Sequence, residues 1–381
     1  MTEARRVVVV RALRGFADGF VSVLLADHLL DLGYSPLRVG IIVTGTLVGS
    51  AVLTLVVGLT GHRVPFRTLL LAASALMLLT GVGFLTVTAF VPLLVIAVVG
   101  TLNPSAGDVS VFLPTEQAFL AGHATGHERT RLYALYNVGG NVAGALGALL
   151  TAVVEGRAGF VVYIAVAAVA ALVYRGLPKD TPAPSGLTRP LQHSRRVVLS
   201  LAALFSLDAA GGGMVVQSLL VLWLHLKFDL STATTGSVFF VLGTLAAFSQ
   251  LLAPRLAARI GLIRTMAFTH LPANGFLILA AFAPTAGLAV ALLMARALLS
   301  QMDVPARQAF VMAVVRPEER QAAASVTNVP RSLAAASTPA LAGWLLSSGH
   351  LGWPLILGGA AKAVYDVLLL VKFRDVEVDV H

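Results

Sequence analysis

Twelve apolar blocks, each close to the length of a bilayer crossing, leave this chain very few folds to choose from. A spanning helix needs about 20 mostly apolar residues. Bounded by charges or by Pro and Gly clusters, the blocks run over approximately 8–30, 39–60, 68–88, 91–121, 130–154, 158–174, 197–226, 234–254, 263–283, 287–315, 321–348 and 353–371. With 57% hydrophobic residues, 12% charged residues and a mean hydropathy of +0.87 over 381 residues, no sizeable extramembrane domain fits beside them. The expected fold class is therefore an all-α membrane protein of twelve transmembrane helices.

A second constraint is internal repetition. Gln117-Ala118-Phe119 is answered by Gln308-Ala309-Phe310, Glu128-Arg129 by Glu319-Arg320, and Asn137-Val138 by Asn328-Val329, at one offset of 191 (308 − 117). Pro114 meets Pro305 at the same offset, and earlier in the chain Gly40 answers Gly236 and Arg63 answers Arg259 at 196 (236 − 40). Repeats in apolar sequence indicate two similar halves with a working site between them. The one long polar internal stretch, 176–196, reads as a cytoplasmic linker, so the expected domains are a bundle over 1–175 and a second over 197–381.

The net charge of +9 follows topology. With the N-terminus inside, the loops carrying Arg5, Arg6, Arg63, Arg67, Arg129, Arg131, Arg175, Lys179, Arg189, Arg195, Arg196, Arg255, Arg259, Arg264, Arg316, Arg320, Lys372 and Arg374 all face the cytoplasm. Only Arg38, Arg157 and Lys227 fall outside. This asymmetry places both termini in the cytoplasm, explains the basicity without a nucleic-acid partner, and points to a multi-pass protein in a bilayer. The Ala, Val, Leu, Gly and Arg bias suggests a bacterial cytoplasmic (inner) membrane. Asp18 and Asp27 interrupt the first apolar run, which reads as a retained helix rather than a cleaved leader. The absence of cysteine excludes disulfides, thiolate metal sites and cysteine catalysis.

Between the second and third blocks the chain reads Gly58-Leu-Thr-Gly-His62-Arg63-Val-Pro65-Phe-Arg67. This resembles the major facilitator superfamily, whose loop signature is G-x-L-A-D-R-x-G-R-[RK]. Gly58, Arg63 and Arg67 match, whereas His62 replaces the Asp and Pro65 the second Gly. The equivalent loop of the second half keeps Leu256, Ala257, Arg259 and Gly261 and again lacks the Asp. The resemblance covers the whole chain and implies two pseudo-symmetric six-helix bundles, a secondary transporter working by rocker-switch alternating access, and a cytoplasmic lock at these loops. The loss of both Asp residues weakens that lock. A Gly-Pro signature that proton-exchanging members carry in helix 5 is matched partly by Gly139-Gly140-Asn141-Val-Ala-Gly144-Ala-Leu-Gly147, without the proline. These glycines equally suit close helix packing.

Charge inside a bilayer is costly, so intramembrane ionisable residues mark cavities or partners. The resemblance implies that helices 1, 4, 7 and 10 line the cavity, and they hold Asp18, then Asp108 and Glu116, then Asp208, then Arg296, Asp303 and Arg307. Spacings of 7 and 4 keep the last three within about 40° of one stripe. That stripe reads either as an anion-attracting wall or as an internal pair in which Asp303 neutralises Arg307. Glu116 and Arg307 occupy equivalent repeat positions (307 − 116 = 191) with opposite charge, and are expected to pair across the halves at a cytoplasmic gate with Arg63 and Arg259. Asp18 and Asp208 are the proton-coupling candidates, although Arg14 or Arg11 could simply neutralise Asp18. Tyr133, Asn137 and Asn141 form a polar stripe for substrate or for interhelical hydrogen bonds, joined by Asn328 and Arg331 on helix 11. Lys362 and Asp366 are expected to form a structural ion pair, and His270 a hydrogen-bonded packing residue rather than a metal ligand.

No phosphate loop, H-E-x-x-H or G-x-S-x-G in context is present, so no enzyme activity, no cofactor and no ATP-driven pumping are expected. The reading favoured is proton-coupled export of a small organic compound by a monomer whose partners are solute, protons and lipid. Two alternatives stand: import of an organic or inorganic anion held by Arg296 and Arg307, and export of a divalent transition metal. A transporter-like receptor or scaffold is disfavoured by the lack of long docking loops.

Overall fold

Helix runs through nearly all of the described residues because the apolar blocks offer the backbone no water and must satisfy every N–H and C=O internally. The computed structural model describes residues 3–60, 64–105, 112–121, 126–154, 156–178, 193–316 and 319–374. Sixteen helices lie among them. The first seven are α1 (Glu3–Asp31), α2 (Pro36–Thr60), α3 (Phe66–Thr86), α4 (Phe90–Val99), α5 (Phe112–Ala121), α6 (Gly126–Leu150) and α7 (Ala158–Tyr174). They are followed by α8 (Arg195–Gly213), α9 (Gln217–Phe228), α10 (Thr232–Ile260), α11 (Leu262–Ala281) and α12 (Ala286–Ser300). The chain closes with α13 (Asp303–Val314), α14 (Arg320–Ser337), α15 (Pro339–Ser347) and α16 (Trp353–Phe373).

These helices fall on the twelve expected spans, with four spans split in two: α4 and α5, α8 and α9, α12 and α13, α14 and α15. The splits correct the expectation of unbroken helices 4, 7, 10 and 11, and each has a local cause. Gly100 takes an extended conformation and Pro104 follows it, the triplet Gly211-Gly212-Gly213 precedes the second break, Pro305 follows the third, and Pro339 opens α15. Six spans among the described residues are long and apolar enough to cross a membrane by length and composition alone: 36–57, 66–86, 195–228, 232–260, 286–314 and 353–373. Helix α1 is not among them, and along its length it carries Arg11, Arg14, Asp18 and Asp27.

Two compact units emerge, one comprising Met1–Gly186 with Val216–Phe240, the other Leu187–Val215 with Val241–His381. In the first, α1 packs most extensively on α6. Glycines set that distance: a Cβ on Gly19 would lie 1.9 Å from the Gly144 carbonyl oxygen, and one on Gly147 1.9 Å from that of Phe16. Gly140, Gly144 and Gly147 of the helix 5 run thus serve packing, whereas a Cβ on Gly139 would meet nothing within 4 Å. The unwound stretch after Gly100 is satisfied by neighbours of the same unit. Thr101 N–H donates to Thr80 Oγ1 at 3.3 Å, its carbonyl accepts from Tyr163 Oη at 3.3 Å, and the Pro104 carbonyl accepts from Ser218 Oγ at 2.8 Å.

In the second unit α14 packs on α8, and α16 on both α11 and α8, over a core that includes Leu201, Phe205, Met266, Phe310, Tyr365, Leu369 and Phe373. Here the Gly211 position lies against the Gly358 carbonyl, 2.6 Å from where a Cβ would stand. Of the expected linker 176–196, residues 179–192 lie outside the described residues. Where the chain resumes, the N–H groups of His193 and Ser194 donate to the two Glu319 oxygens at 3.0 and 2.9 Å.

The α1–α6 contact makes a measurable distinction. Gly19→Leu should lower stability by roughly 1–3 kcal/mol through overpacking, seen as a lower melting temperature in detergent, whereas Gly139→Ala should leave it unchanged or slightly raised. Equal behaviour of the two variants would contradict the close approach.

Candidate functional site

Each unit buries its own ionic centre. In the first, Glu116 of α5 is fully buried and both its oxygens are engaged. Oε2 accepts from Arg14 of α1 and from the Tyr136 hydroxyl of α6, and Oε1 accepts from the Tyr174 hydroxyl of α7. The Arg14 guanidinium also lies over the Phe112 ring, 3.8 Å from its centroid. One carboxylate therefore gathers α1, α6 and α7 around α5. One turn beyond Arg14, Asp18 is buried, hydrogen-bonded by the Asn103 side chain and within the field of Arg14 and Arg11. Asn103 can reach it because the chain is unwound there; its Oδ1 also accepts from Ser105 N–H at 3.1 Å and Ser105 Oγ at 2.8 Å. Arg11, buried to 3% exposure, stacks 5.4 Å from the Tyr136 centroid.

The second centre spans α8, α11, α13 and α16. Asp208 of α8 holds Lys362 Nζ at 2.7 Å, Arg307 at 3.5 Å and His270 Nε2 at 3.8 Å. Arg307 also holds Asp303 at 3.1 Å across one turn of α13. Asp366, fully buried on α16, lies 2.9 Å from His270 Nδ1 and accepts from Asn274 Nδ2 at 2.9 Å, and Asn274 Nδ2 also lies 3.2 Å from His270 Nδ1. Arg296 of α12 is partly buried, its Nε lacks a hydrogen-bond partner, and it acts on Asp208 through its field.

The structure gives the members of both expected pairs other partners. Glu116 and Arg307 find partners inside their own units: Arg14 of the adjoining α1 for the former, and for the latter Asp303 one turn away on α13 and Asp208 of α8. Lys362 does not pair with Asp366 four residues on but reaches Asp208. Its stem passes where α8 has no side chains: a Cβ on Gly211 would lie 2.9 Å from Lys362 Cγ, and one on Gly212 3.7 Å from Nζ. Of the helix 10 stripe, Asp303 and Arg307 make the i,i+4 pair, while Arg296 lies beyond the break at Gln301-Met302.

The other expected residues are scattered. Asn137 and Asn141 are partly buried on α6, Arg259 is exposed near the end of α10, and Asn328 is exposed on α14. Asp108, Arg63 and the Tyr133 side chain lie outside the described residues. The contribution of Tyr136 and Tyr174 was not foreseen, although a tyrosine inside an apolar helix needs a partner for its hydroxyl. Among the described residues no three His, Asp or Glu side chains are arranged to hold a metal ion.

Removing one member of a dry ion pair strands the other, at a cost of about 3–5 kcal/mol, whereas removing both is milder. Asp208→Asn or Lys362→Gln alone should each destabilise the protein more than the double substitution, as read from thermal unfolding in detergent. Additive losses would mean that the pair is not coupled.

Comparison with known proteins fits this architecture. The family model of the Major Facilitator Superfamily matches residues 7–300 and 209–380. A curated relative, an uncharacterized membrane protein of Saccharomyces cerevisiae, is 22% identical over 97% of this chain and 93% of its own length. Among solved structures, a variant of the nucleoside transporter NupG superposes with a TM-score of 0.77 at 11% identity, covering 98% of this chain and 100% of that one. A D-xylose-proton symporter gives 0.75 at 14% identity, with 97% of each chain covered. A human organic anion transporter gives 0.71 at 17% identity, with 97% of this chain and 100% of that one covered.

Proposed function

The chain belongs to the Major Facilitator Superfamily and is a multi-pass membrane protein of secondary transport, and we propose that it exports a small organic solute in exchange for protons. What carries this reading is the burial of ionisable side chains in both units, around Glu116 and Asp18 in one and around Asp208 and Asp366 in the other. Charge inside a bilayer is costly, and charge kept at this depth points to a binding or coupling task. We assign alternating access to residues 1–175 moving against 197–381, with 176–196 as the connection, in a monomer. Both termini are assigned to the cytoplasmic side of a bacterial inner membrane on the strength of the loop arginines and lysines.

Asp18 is the coupling carboxylate of the first unit in this reading. It is buried and is set close to Arg14 and Arg11, and its contact with Asn103 draws on an unwound backbone that a helix movement can alter. We place solute contacts on Asn137 and Asn141, both partly buried on α6. Uptake of an organic or inorganic anion is a second reading, favoured by the unpartnered Nε of Arg296. It loses Arg307, which Asp303 and Asp208 already hold. Metal export lacks a ligand set among the described residues.

A thermal-shift screen of the purified protein over organic cations, organic anions and divalent metals should single out one class, because ligands that bind the folded state raise its apparent stability. In proteoliposomes, flux of the solute so identified should accelerate under an imposed pH gradient, and Asp18→Asn should abolish that acceleration while downhill flux persists. Flux indifferent to the gradient in the unsubstituted protein rules out coupling, and a response confined to anions decides for the second reading.

A further inference from the structure

Within the second centre the cations are unevenly shared. Lys362 is held by Asp208 at 2.7 Å and Arg307 by Asp303 at 3.1 Å. Asp366 is held by His270 and Asn274. A fully buried carboxylate in apolar surroundings gains strongly from a proton or a positive charge at its oxygens. An imidazolium at His270 or a proton on Asp366 itself would each supply this, and both place one proton on the pair.

The ring is placed to accept it. Nδ1 lies 2.9 Å from Asp366 Oδ1, while Nε2 faces Asp208 Oδ1 at 3.8 Å. In the tautomer with its hydrogen on Nδ1, toward Asp366, neutral His270 presents a lone pair to Asp208. A proton added at Nε2 turns that lone pair into a second donor, with a carboxylate waiting for each N–H. The surrounding titratable and charged groups are Asp208 from α8, Lys362 and Tyr365 from α16, Asp303 and Arg307 from α13, and Arg296 from α12. Of these, the groups that meet the ring nitrogens are carboxylates, and the cations are engaged with Asp208 and Asp303.

We propose that His270 and Asp366 form a binding site for one proton, and that this pair, rather than Asp208, is the proton carrier of the second unit. The assignment of its task rests on the proton-coupled reading above; the existence of the site does not. Uptake adds one proton to Nε2, with no bond broken, and turns the contact between α11 and α16 from a hydrogen bond into an ion pair. It also offers Asp208 a third cation in competition with Lys362 and Arg307. Protonation would thereby reach α8 and α13, which pack on the same centre.

Ring-labelled histidine NMR of the full chain in detergent or nanodiscs tests the site without any solute. One of the nine histidine signals, absent in His270→Gln, should report protonation of its ring as the pH is changed. In Asp366→Asn its midpoint should move by roughly one pH unit or more. Should His270→Gln fail to fold, Asp366→Asn identifies the ring by itself, as the signal it displaces. A ring that does not titrate while the protein stays folded, or a midpoint untouched by Asp366→Asn, overturns the proposal. If the ring is silent but flux follows the pH gradient, the site fails and the transport reading survives. If the ring titrates and flux ignores the gradient, the coupling task is lost.

Discussion

An ionised carboxylate buried among apolar helices must be met by donors that cross from neighbouring helices, since its own helix has committed its N–H groups to the backbone ladder. Glu116 and Asp208 each impose this demand. The first draws Arg14, Tyr136 and Tyr174 from three helices, the second Lys362 and Arg307 from two. Apolar contacts between these helices and lipid are nearly interchangeable, so they do little to choose one helix neighbour over another. Directional, charge-assisted bonds do choose, and they fix which faces of α1, α6, α7, α8 and α16 turn inward.

Such bonds can form only where backbones come close or open up. Gly211 and Gly212 clear a passage for the Lys362 stem, and Gly19 with Gly144 lets α1 lie directly on α6. The break after Gly100 frees Asn103 to meet Asp18, while Thr80, Tyr163 and Ser218 satisfy the exposed peptide groups. The glycines and the broken helices are therefore part of the ionic centres. They are also the places where a changed charge could be turned into a changed helix position, because an unwound segment can exchange hydrogen-bond partners at lower cost than a helix interior.

Much of the fold was legible in advance because hydropathy acts over lengths of about 20 residues and needs no knowledge of neighbours. The spans at 68–88, 158–174 and 353–371 match α3, α7 and α16 to within a few residues. The breaks were harder to see, since Gly100, Met214 and Met302 sit in sequence apolar enough to read as continuous helix. The site was legible only as a roster. Asp18, Glu116, Asp208, Asp303 and Arg307 stand out as charges in apolar sequence, and the spacing of Asp303 and Arg307 left their pairing as one of two readings, the one the structure makes. Partners distant in sequence escaped. Nothing near Glu116 announces Tyr174, and i,i+4 spacing favoured Asp366 for Lys362 although the lysine reaches across to Asp208.

The sequence by itself determined the membrane environment, the helical class, the twofold repetition and which residues bear the costly charges. These are properties of composition and spacing along one strand of chain. Tertiary structure decided which charges meet, that Glu116 belongs to Arg14, Lys362 to Asp208, and Asp366 to His270. The physical reason is one of range. Hydropathy accumulates over neighbours in sequence, whereas a hydrogen bond depends on a separation near 3 Å between helices that the chain brings together only after dozens of intervening residues.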